Sequence, residues 1–282
     1  MHARVGNTQI GSRTFHWGAR AYIMGILNVT PDSFSDGGVH STVSAAVAHA
    51  RRMADEGADI IDIGGESTRP THTPVTAAQE MERVLPVVRA VREALPEMPL
   101  SIDTMKAEVA GAAVAAGANL VNDVWGFRHD AAMARTVAAA GVPCCLMHNR
   151  AEPVYADLVA EVCADLMESV RLAREAGIPD HQIILDPGIG FGKTREQNLL
   201  LLRHLHRVCA LGFPVLLGTS RKSVIGLTLA LPVTERLAGT LATTVLGVAG
   251  GADILRVHDV RENVQASRMA EAVLHAGEDA WS

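Results

Sequence analysis

Polar side chains follow eight short apolar segments of this chain, and together they include the residue types that bind a charged heterocycle. In chain order they are Asn28; Glu66 with Ser67, Thr68 and Arg69; Asp103; Asn122 with Asp123; His148 with Asn149; Asp186; Ser220 with Arg221 and Lys222; and Arg256 with His258. Carboxylates and amides recognise the N–H groups of a flat heterocycle, whereas Arg, Lys and His hold an anion. The set therefore indicates a nitrogen-rich aromatic substrate that carries phosphate.

Each of these side chains also has an ordinary structural alternative. A polar residue after a strand often caps the next helix, and this alternative applies to Asp103 and to Ser67 with Thr68. His148 is either a site residue or a hydrogen-bonded core group. Because capping alone does not explain a polar residue after all eight segments, we favour a binding site.

The apolar segments have strand length and alternate with longer segments of helical period, rich in Ala and Leu. The predicted strands are Tyr22–Leu27, Asp59–Ile63, Leu100–Ile102, Asn119–Asn122, Val142–Met147, Gln182–Leu185, Val215–Leu217 and Asp253–Val257. Eight such strands, each followed by a helix, favour an α/β protein with a closed (β/α)8 TIM barrel, with an open doubly wound sheet as the alternative. In such a barrel the carboxyl ends of the strands converge on one mouth, where we expect the site.

Local signals fix the ends of several helices. Ser41 is the predicted N-cap of the first helix, and Thr76 with Gln79 that of the second. Glycines that favour helix ends are Gly57, Gly117, Gly141 and Gly177. Residues 1–20 form an N-terminal extension, in which Thr8–Trp17 indicates a small hairpin covering the barrel's bottom, and residues 21–282 form a single barrel domain.

Composition excludes several other classes of protein. The chain has 282 residues, 48% of them hydrophobic, which is close to the roughly 250 residues of a typical barrel. A net charge of -6 with both signs interspersed argues against nucleic acid or an anionic membrane as a partner. The first residues lack the apolar core of a signal peptide, so we expect a cytoplasmic protein with reduced cysteines, in which Cys144 and Cys145 point to opposite faces of a strand.

One segment imitates a phosphate-binding loop without matching it. Lys193 follows Gly188, Gly190 and Gly192, but the G-x-x-x-x-G-K-[ST] pattern requires glycine at position 187, where Pro187 stands. We therefore interpret this segment as a tight loop between a strand and a helix.

Six motifs in the same chain carry a family resemblance. They are Asn28-Val-Thr-Pro-Asp-Ser-Phe34-Ser-Asp-Gly, Gly64-Gly-Glu-Ser-Thr-Arg-Pro70, Ser101-Ile-Asp-Thr104, Leu185-Asp-Pro-Gly-Ile-Gly-Phe-Gly-Lys193, Thr219-Ser-Arg-Lys-Ser223 and Arg256-Val-His-Asp259. In this order, and spread from the first strand to the eighth, they resemble the signature motifs of the dihydropteroate synthase family. The resemblance implies a transferase of folate biosynthesis, which joins 6-hydroxymethyl-7,8-dihydropterin pyrophosphate to p-aminobenzoate and releases pyrophosphate.

The resemblance also implies roles for individual residues. The residues that resemble the family's pterin pocket are Asp103, Asn122, Asp186 and Lys222, and those that resemble its pyrophosphate site are Thr68, Arg69, Arg256 and His258. The residues that resemble its binding site for p-aminobenzoate and sulfonamide mimics are Pro31, Phe34, Phe191 and Ser223. Asn28 resembles the residue that touches Mg2+. Asp103, Lys222, Arg256 and His258 are the implied catalytic residues, acting in an SN1-like displacement. The segment Thr30–Gly38 resembles a loop that closes over p-aminobenzoate with a second loop, Ser67–Pro74.

Two alternatives stay open at this level, together with two departures from the family. A pterin-binding methyltransferase built on a similar barrel predicts a cobalamin-binding partner, and a non-catalytic pterin-binding paralogue predicts loss of one of the implied catalytic residues. Thr71 after Pro70 and Asn149-Arg150 after His148 depart from the common motifs and put loop conformation in question. A homodimer joined through outer helices is expected from the resemblance.

Overall fold

The computed structural model describes residues 6–29, 38–66 and 74–276, with side chains from residue 43 onward in the second range. Eight parallel strands form the central sheet: β3 (Tyr22–Asn28), β4 (Ile60–Gly64), β5 (Leu100–Asp103), β6 (Leu120–Asp123), β7 (Cys144–Met147), β8 (Ile183–Asp186), β9 (Leu216–Leu217) and β10 (Ile254–Val257). Neighbours pair in chain order from β3 to β8, and β10 pairs with both β3 and β9. A parallel bridge from Leu185 to Val215 completes the ring, so the predicted barrel is confirmed and the open sheet was the wrong alternative.

Helices cover the outside of this barrel. They are α1 (Gly38–Asp55), α2 (Ala77–Ala94), α3 (Ala107–Ala115), α4 (Met133–Ala140), α5 (Leu158–Glu175), α6 (Arg195–Arg203), α7 (Leu205–Cys209), α8 (Ser223–Leu229), α9 (Leu237–Gly250) and α10 (Val260–Leu274). None of them, within the part of the chain described, combines the length and the apolar character needed to cross a bilayer.

The helix-end predictions succeed at most positions and fail at one. Thr76 and Gln79 form the predicted capping box at the start of α2. Gly141 ends α4 in the left-handed region, with φ 66°, which a glycine adopts at no steric cost. Ser41 was the wrong N-cap, because α1 begins three residues earlier at Gly38 and continues through it. A capping residue type marks a candidate boundary only, since serine is also tolerated within helices.

The hairpin predicted before the barrel is present and closes its amino-terminal end. Strands β1 (Asn7–Ile10) and β2 (Arg13–His16) pair antiparallel. Ile10 and Phe15 of the hairpin are buried in one cluster with inward-facing barrel residues such as Met24. The polar strand ends therefore lie at the opposite mouth of the barrel.

Side-chain alternation along the strands separates the inside of the barrel from its helix-covered outside. The inner cluster contains Tyr22, Ile60, Leu120, Cys145, Ile184, Leu216 and Ile254, whereas Cys144 belongs to the outer core. The two adjacent cysteines thus face opposite ways as predicted, and all four cysteines are free. Two residues beyond the inner apolar layer, the same period places Asp62, Asn122, Asp186, Gly218 and Arg256 on the inward side.

Candidate active site

Arg256 lies at the centre of the polar mouth, between two buried carboxylates. Its Nε donates to Asp62 Oδ2 at 2.6 Å, and its Nη2 donates to Asp103 Oδ2 at 2.5 Å. Asn122 Nδ2 donates to the same Asp62 oxygen at 3.3 Å. The second oxygens, Asp62 Oδ1 and Asp103 Oδ1, are buried and have no hydrogen-bond partner among the described residues. The cluster therefore fixes a guanidinium and leaves acceptor capacity for another molecule.

Burial and charge shift the titration of this cluster in opposite directions. Burial raises the pKa of Asp103 to about 7, although the charge of Arg256 opposes the shift. Burial also acts to lower the pKa of Arg256, but Asp62 and Asp103 outweigh it and hold that pKa above its ordinary value. Arg256 is therefore a permanent cation, while Asp103 is a carboxyl group whose ionisation depends on its surroundings.

Asp186 and Lys222 form a second charged pair beside the first cluster. A Cβ placed on Gly218 would lie 3.5 Å from Lys222 Nζ and 4.0 Å from Asp186 Oδ2, so both charged groups lie close to this one glycine. Burial raises the pKa of Asp186, and the charge of Lys222 offsets part of the rise. Burial lowers the pKa of Lys222 to about 8, against the opposing effect of Asp186. A buried carboxyl group and a buried amine whose pKa values are both shifted toward the neutral form are typical of a binding site for a polar ligand.

The loop between β8 and α6 brings Phe191 to this pair. Lys222 Nζ donates to the carbonyl of Ile189 at 2.6 Å and stands 4.7 Å from the centre of the Phe191 ring. Asp186 Oδ1 accepts from the backbone N–H of Gly188 at 2.7 Å, and its Oδ2 lies on the side of Gly218. Phe191 and Lys222, predicted for different substrates, thus share one wall of the site.

The β9 and β10 ends bring a third group together. Ser220 Oγ lies 3.0 Å from His258 Nδ1 and accepts from the His258 backbone N–H at 3.1 Å. Lys222 is the N-cap of α8, so the exposed Ser223 is the first residue of that helix. Arg221, between Ser220 and Lys222 in the chain, has φ 56° and forms an ion pair with Asp259.

Asn28 ends β3 next to Gly64 in the barrel register, and its side chain is exposed. One amide oxygen at the mouth fits Mg2+, which keeps several waters and binds through few protein ligands plus substrate phosphates. Among the described residues no three His, Cys, Asp or Glu side chains gather into a metal site. Pro31, Phe34, Thr68 and Arg69 lie outside the described residues.

The structure adds one residue to the mouth that the sequence did not predict and decides between the two alternatives for another. Asp62 was not predicted because it lies inside β4, whereas the predicted site residues lie near the ends of the strands or after them. A charged residue within Ile60-Ile61-Asp62-Ile63 was the signal that would have found it. His148 is fully buried and hydrogen-bonded, which agrees with the second alternative given for it, a hydrogen-bonded core group.

Comparison with known proteins agrees with the geometry. The profile of the family described as "Pterin binding enzyme" matches residues 24–258. A dihydropteroate synthase of Clostridium beijerinckii is 54% identical over 267 residues, covering 94% of this chain and 99% of that protein.

Solved structures extend the agreement to three dimensions. The crystal structure of a dihydropteroate synthase from Clostridium difficile in the presence of pteroic acid has a TM-score of 0.90 and 50% identity, over 92% of this chain and 98% of that one. A dihydropteroate synthase from Xanthomonas albilineans with 4-aminobenzoic acid also has a TM-score of 0.90, at 48% identity, over 95% of this chain and 98% of that one. The polar mouth and these similarities, over nearly the whole chain, make this protein a member of the dihydropteroate synthase family of pterin-binding enzymes.

Proposed function

We propose that this chain is a transferase that condenses 6-hydroxymethyl-7,8-dihydropterin pyrophosphate with p-aminobenzoate to give 7,8-dihydropteroate and pyrophosphate. The observation that carries the proposal is the mouth itself, where Arg256 is held by Asp62 and Asp103 beside the Asp186–Lys222 pair. Such a site offers both acceptors for a heterocycle and cations for an anion.

The pterin ring is assigned to the inner part of the mouth. Asp186, with one oxygen directed away from Gly188, accepts paired N–H bonds from the guanidine-like edge of the ring. Asn122 supplies an amide, Asp103 a carboxyl group, and Lys222 a donor to the ring's carbonyl or nitrogen atoms. The burial of Asp103, Asn122 and Asp186 supports this assignment, because hydrogen bonds are stronger where water is excluded.

Pyrophosphate is assigned to the outer part. Arg256 lies near the end of β10 and His258 follows that strand, and by resemblance Thr68 and Arg69 contribute from the second loop. Mg2+, held by Asn28 and substrate oxygens, would supply charge neutralisation of the pyrophosphate oxygens.

The reaction follows an SN1-like course. The bond between the pterin methylene carbon and the pyrophosphate oxygen breaks, and pyrophosphate keeps the electron pair. The aryl amine of p-aminobenzoate then bonds to the carbon and loses a proton. Asp103, close to Arg256, offsets cationic charge at the methylene, while Phe191 and Ser223, with Pro31 and Phe34, bind p-aminobenzoate.

We further propose a cytoplasmic homodimer in which residues 21–282 form the barrel domain and residues 1–20 its extension. Exposed apolar side chains on the outer helices support self-association, among them Leu227 of α8, Leu246 of α9 and Val273 of α10, each more than half exposed. Light scattering after size exclusion tests the dimer.

The decisive experiment follows pyrophosphate release by the purified chain with dihydropterin pyrophosphate and Mg2+, with and without p-aminobenzoate. We expect release coupled to dihydropteroate formation, and its loss in Asp186→Asn. Tight pterin binding by folded protein without product would overturn the synthase assignment and favour a methyltransferase or a non-catalytic paralogue.

A further inference from the structure

Lys193 ties together the loop that carries Phe191. Its ammonium donates to the carbonyls of Gly188 at 2.9 Å and Phe191 at 3.0 Å. The same atom lies 2.9 Å from His148 Nδ1. These three partners use all three N–H donors of the ammonium, so Lys193 links both ends of the loop from Gly188 to Phe191 to His148. We call this set of three hydrogen bonds the bracket.

His148 connects this bracket to the barrel wall. Since the ammonium donates to Nδ1, the imidazole proton resides on Nε2, which lies 3.1 Å from Asp165 Oδ2 on α5. Asp165 also accepts from Arg150 Nε at 2.9 Å. Burial, assisted by the charge of Lys193, lowers the pKa of His148 to about 3, consistent with a neutral ring that accepts on one side and donates on the other.

The loop fits tightly against the strand end that carries His148. Gly188 has φ 70°, and a Cβ there would lie 1.9 Å from the His148 carbonyl oxygen. Gly192 has φ 54°, and a Cβ there would lie 2.3 Å from the Arg150 carbonyl oxygen. The two glycines allow a backbone approach that other residues would block, so the bracket acts on a loop already pressed against its support.

The inner side of the same loop faces the mouth. Lys222 takes the Ile189 carbonyl as its acceptor and lies 4.7 Å from the Phe191 ring centre. The two lysines therefore hold one loop from opposite sides: Lys193 from the barrel wall and Lys222 from the site. If the hydrogen bonds of Lys193 are lost, Phe191 and the Ile189 carbonyl are expected to shift together.

We propose that His148 and Lys193 are positioning residues, which hold the loop from Gly188 to Phe191 so that Phe191 keeps its place on the p-aminobenzoate side of the site. The inference rests on the proposed function for its kinetic consequence, but not for its structural one. Neither residue is among those assigned to a substrate, and both act through the loop.

Two isosteric variants of His148 separate the two halves of the bracket. In His148→Asn the amide oxygen takes the place of Nδ1 and still accepts from Lys193, but the side chain at position 148 no longer reaches Asp165. In His148→Gln the amide nitrogen takes the place of Nε2 and still donates to Asp165, but the acceptor for Lys193 is gone. Lys193→Met keeps most of the aliphatic stem and removes all three donated bonds.

Steady-state kinetics of the full chain, with each substrate varied in turn, measures the first consequence. We expect His148→Gln and Lys193→Met to raise KM for p-aminobenzoate about tenfold, the effect of roughly one lost charge-assisted hydrogen bond. KM for the pterin pyrophosphate should stay within about twofold, and His148→Asn within about threefold of the parent chain for both substrates. Equal effects of the two His148 variants, or equal effects on both substrates, would overturn the proposal.

Amide hydrogen exchange measures the second consequence without any turnover. The N–H groups of Gly188, Gly190 and Phe191 are bonded to Asp186, Asn198 and the Gly188 carbonyl. They should exchange about tenfold faster in His148→Gln and Lys193→Met and unchanged in His148→Asn. If the parent chain makes no dihydropteroate, the proposed function is wrong, but the exchange rates still test whether His148 and Lys193 hold the loop. If exchange is the same in all variants, the loop inference is wrong, and the proposed function is unaffected.

Discussion

Replacing Asp62 by asparagine tests the charge arrangement at the centre of the mouth. Asp62 is fully buried and accepts from Arg256 Nε at 2.6 Å and from Asn122 at 3.3 Å. Removing one partner of a buried ion pair costs about 3–5 kcal/mol. Here the cost is smaller, because Arg256 keeps Asp103 at 2.5 Å and the asparagine oxygen still accepts. We expect a loss of about 2 kcal/mol in the free energy of unfolding, since a hydrogen bond to a charged group contributes about 1.5–3 kcal/mol.

The same substitution should reduce activity through Arg256. A guanidinium held on one side only loses its fixed direction, and a transition-state interaction weakened by about 2 kcal/mol lowers kcat/KM about 30-fold. The charge of Asp62 also helps to raise the pKa of Asp103. In Asp62→Asn the pKa of Asp103 should therefore fall below about 7, and any acid limb of the pH–rate profile that it sets should move to lower pH.

Urea unfolding and steady-state kinetics over a range of pH measure these effects. Ser101→Ala is the matched control, because Ser101 faces Asp62 in the register of β4 and β5 and its buried hydroxyl has no partner among the described residues. It should leave the free energy of unfolding within about 0.5 kcal/mol. Parent-like stability and parent-like kcat/KM in Asp62→Asn would refute the reasoning that Asp62 orients Arg256.

Three further predictions concern the rest of the site. A lysine is cationic below its pKa, and burial lowers the pKa of Lys222 to about 8. Binding of dihydropterin pyrophosphate, measured by calorimetry, should therefore weaken as the pH rises through about 8. Equal affinity below and above this pH would contradict a cationic role for Lys222. Gly188→Ala places a Cβ 1.9 Å from the His148 carbonyl oxygen at φ 70°, and it should lower the free energy of unfolding, measured with heat or urea, by at least about 2 kcal/mol. Gly141→Ala is the control, because nothing lies within 4 Å of its Cβ, and its positive φ alone should lower that free energy by about 1 kcal/mol. Chelation of Mg2+ should abolish pyrophosphate release, and Asn28→Ala should raise the Mg2+ concentration needed for half-maximal rate; an unchanged requirement would remove Asn28 from the metal site.

The barrel was predictable because its strands are short, apolar and regularly spaced. Every predicted strand lies within two residues of the observed one, and the hairpin at the amino-terminal end was also predicted. The capping box at Thr76 succeeded because both partners are local in sequence. Ser41 failed because a helix can extend past a capping residue when the preceding segment also adopts helical geometry.

Contacts between distant segments were beyond the reach of sequence patterns. His148 and Lys193 are 45 residues apart, and only the fold shows that Lys193 is a bracket for its own loop. Asp62 and Arg256 are 194 residues apart, and their pairing follows from the parallel register that places β3 between β4 and β10. A search that included inward positions inside each strand would have found Asp62, because a carboxylate between isoleucines is costly unless a partner is supplied.

The distribution of charge in the mouth explains how one site can serve two opposite demands. The inner part contains three buried carboxyl groups, on Asp62, Asp103 and Asp186, against the two cations Arg256 and Lys222. When all three carboxyl groups are ionised, this inner part carries an excess of negative charge, which favours a cation forming at the pterin methylene over the neutral substrate. The same excess opposes an anion, so the groups proposed to hold pyrophosphate, Arg256 and His258 with Mg2+ when bound, would have to offset it. Protonation of Asp103, whose pKa is near 7, would remove that excess, which ties the ability of the site to stabilise the cation to the same carboxyl group that holds Arg256.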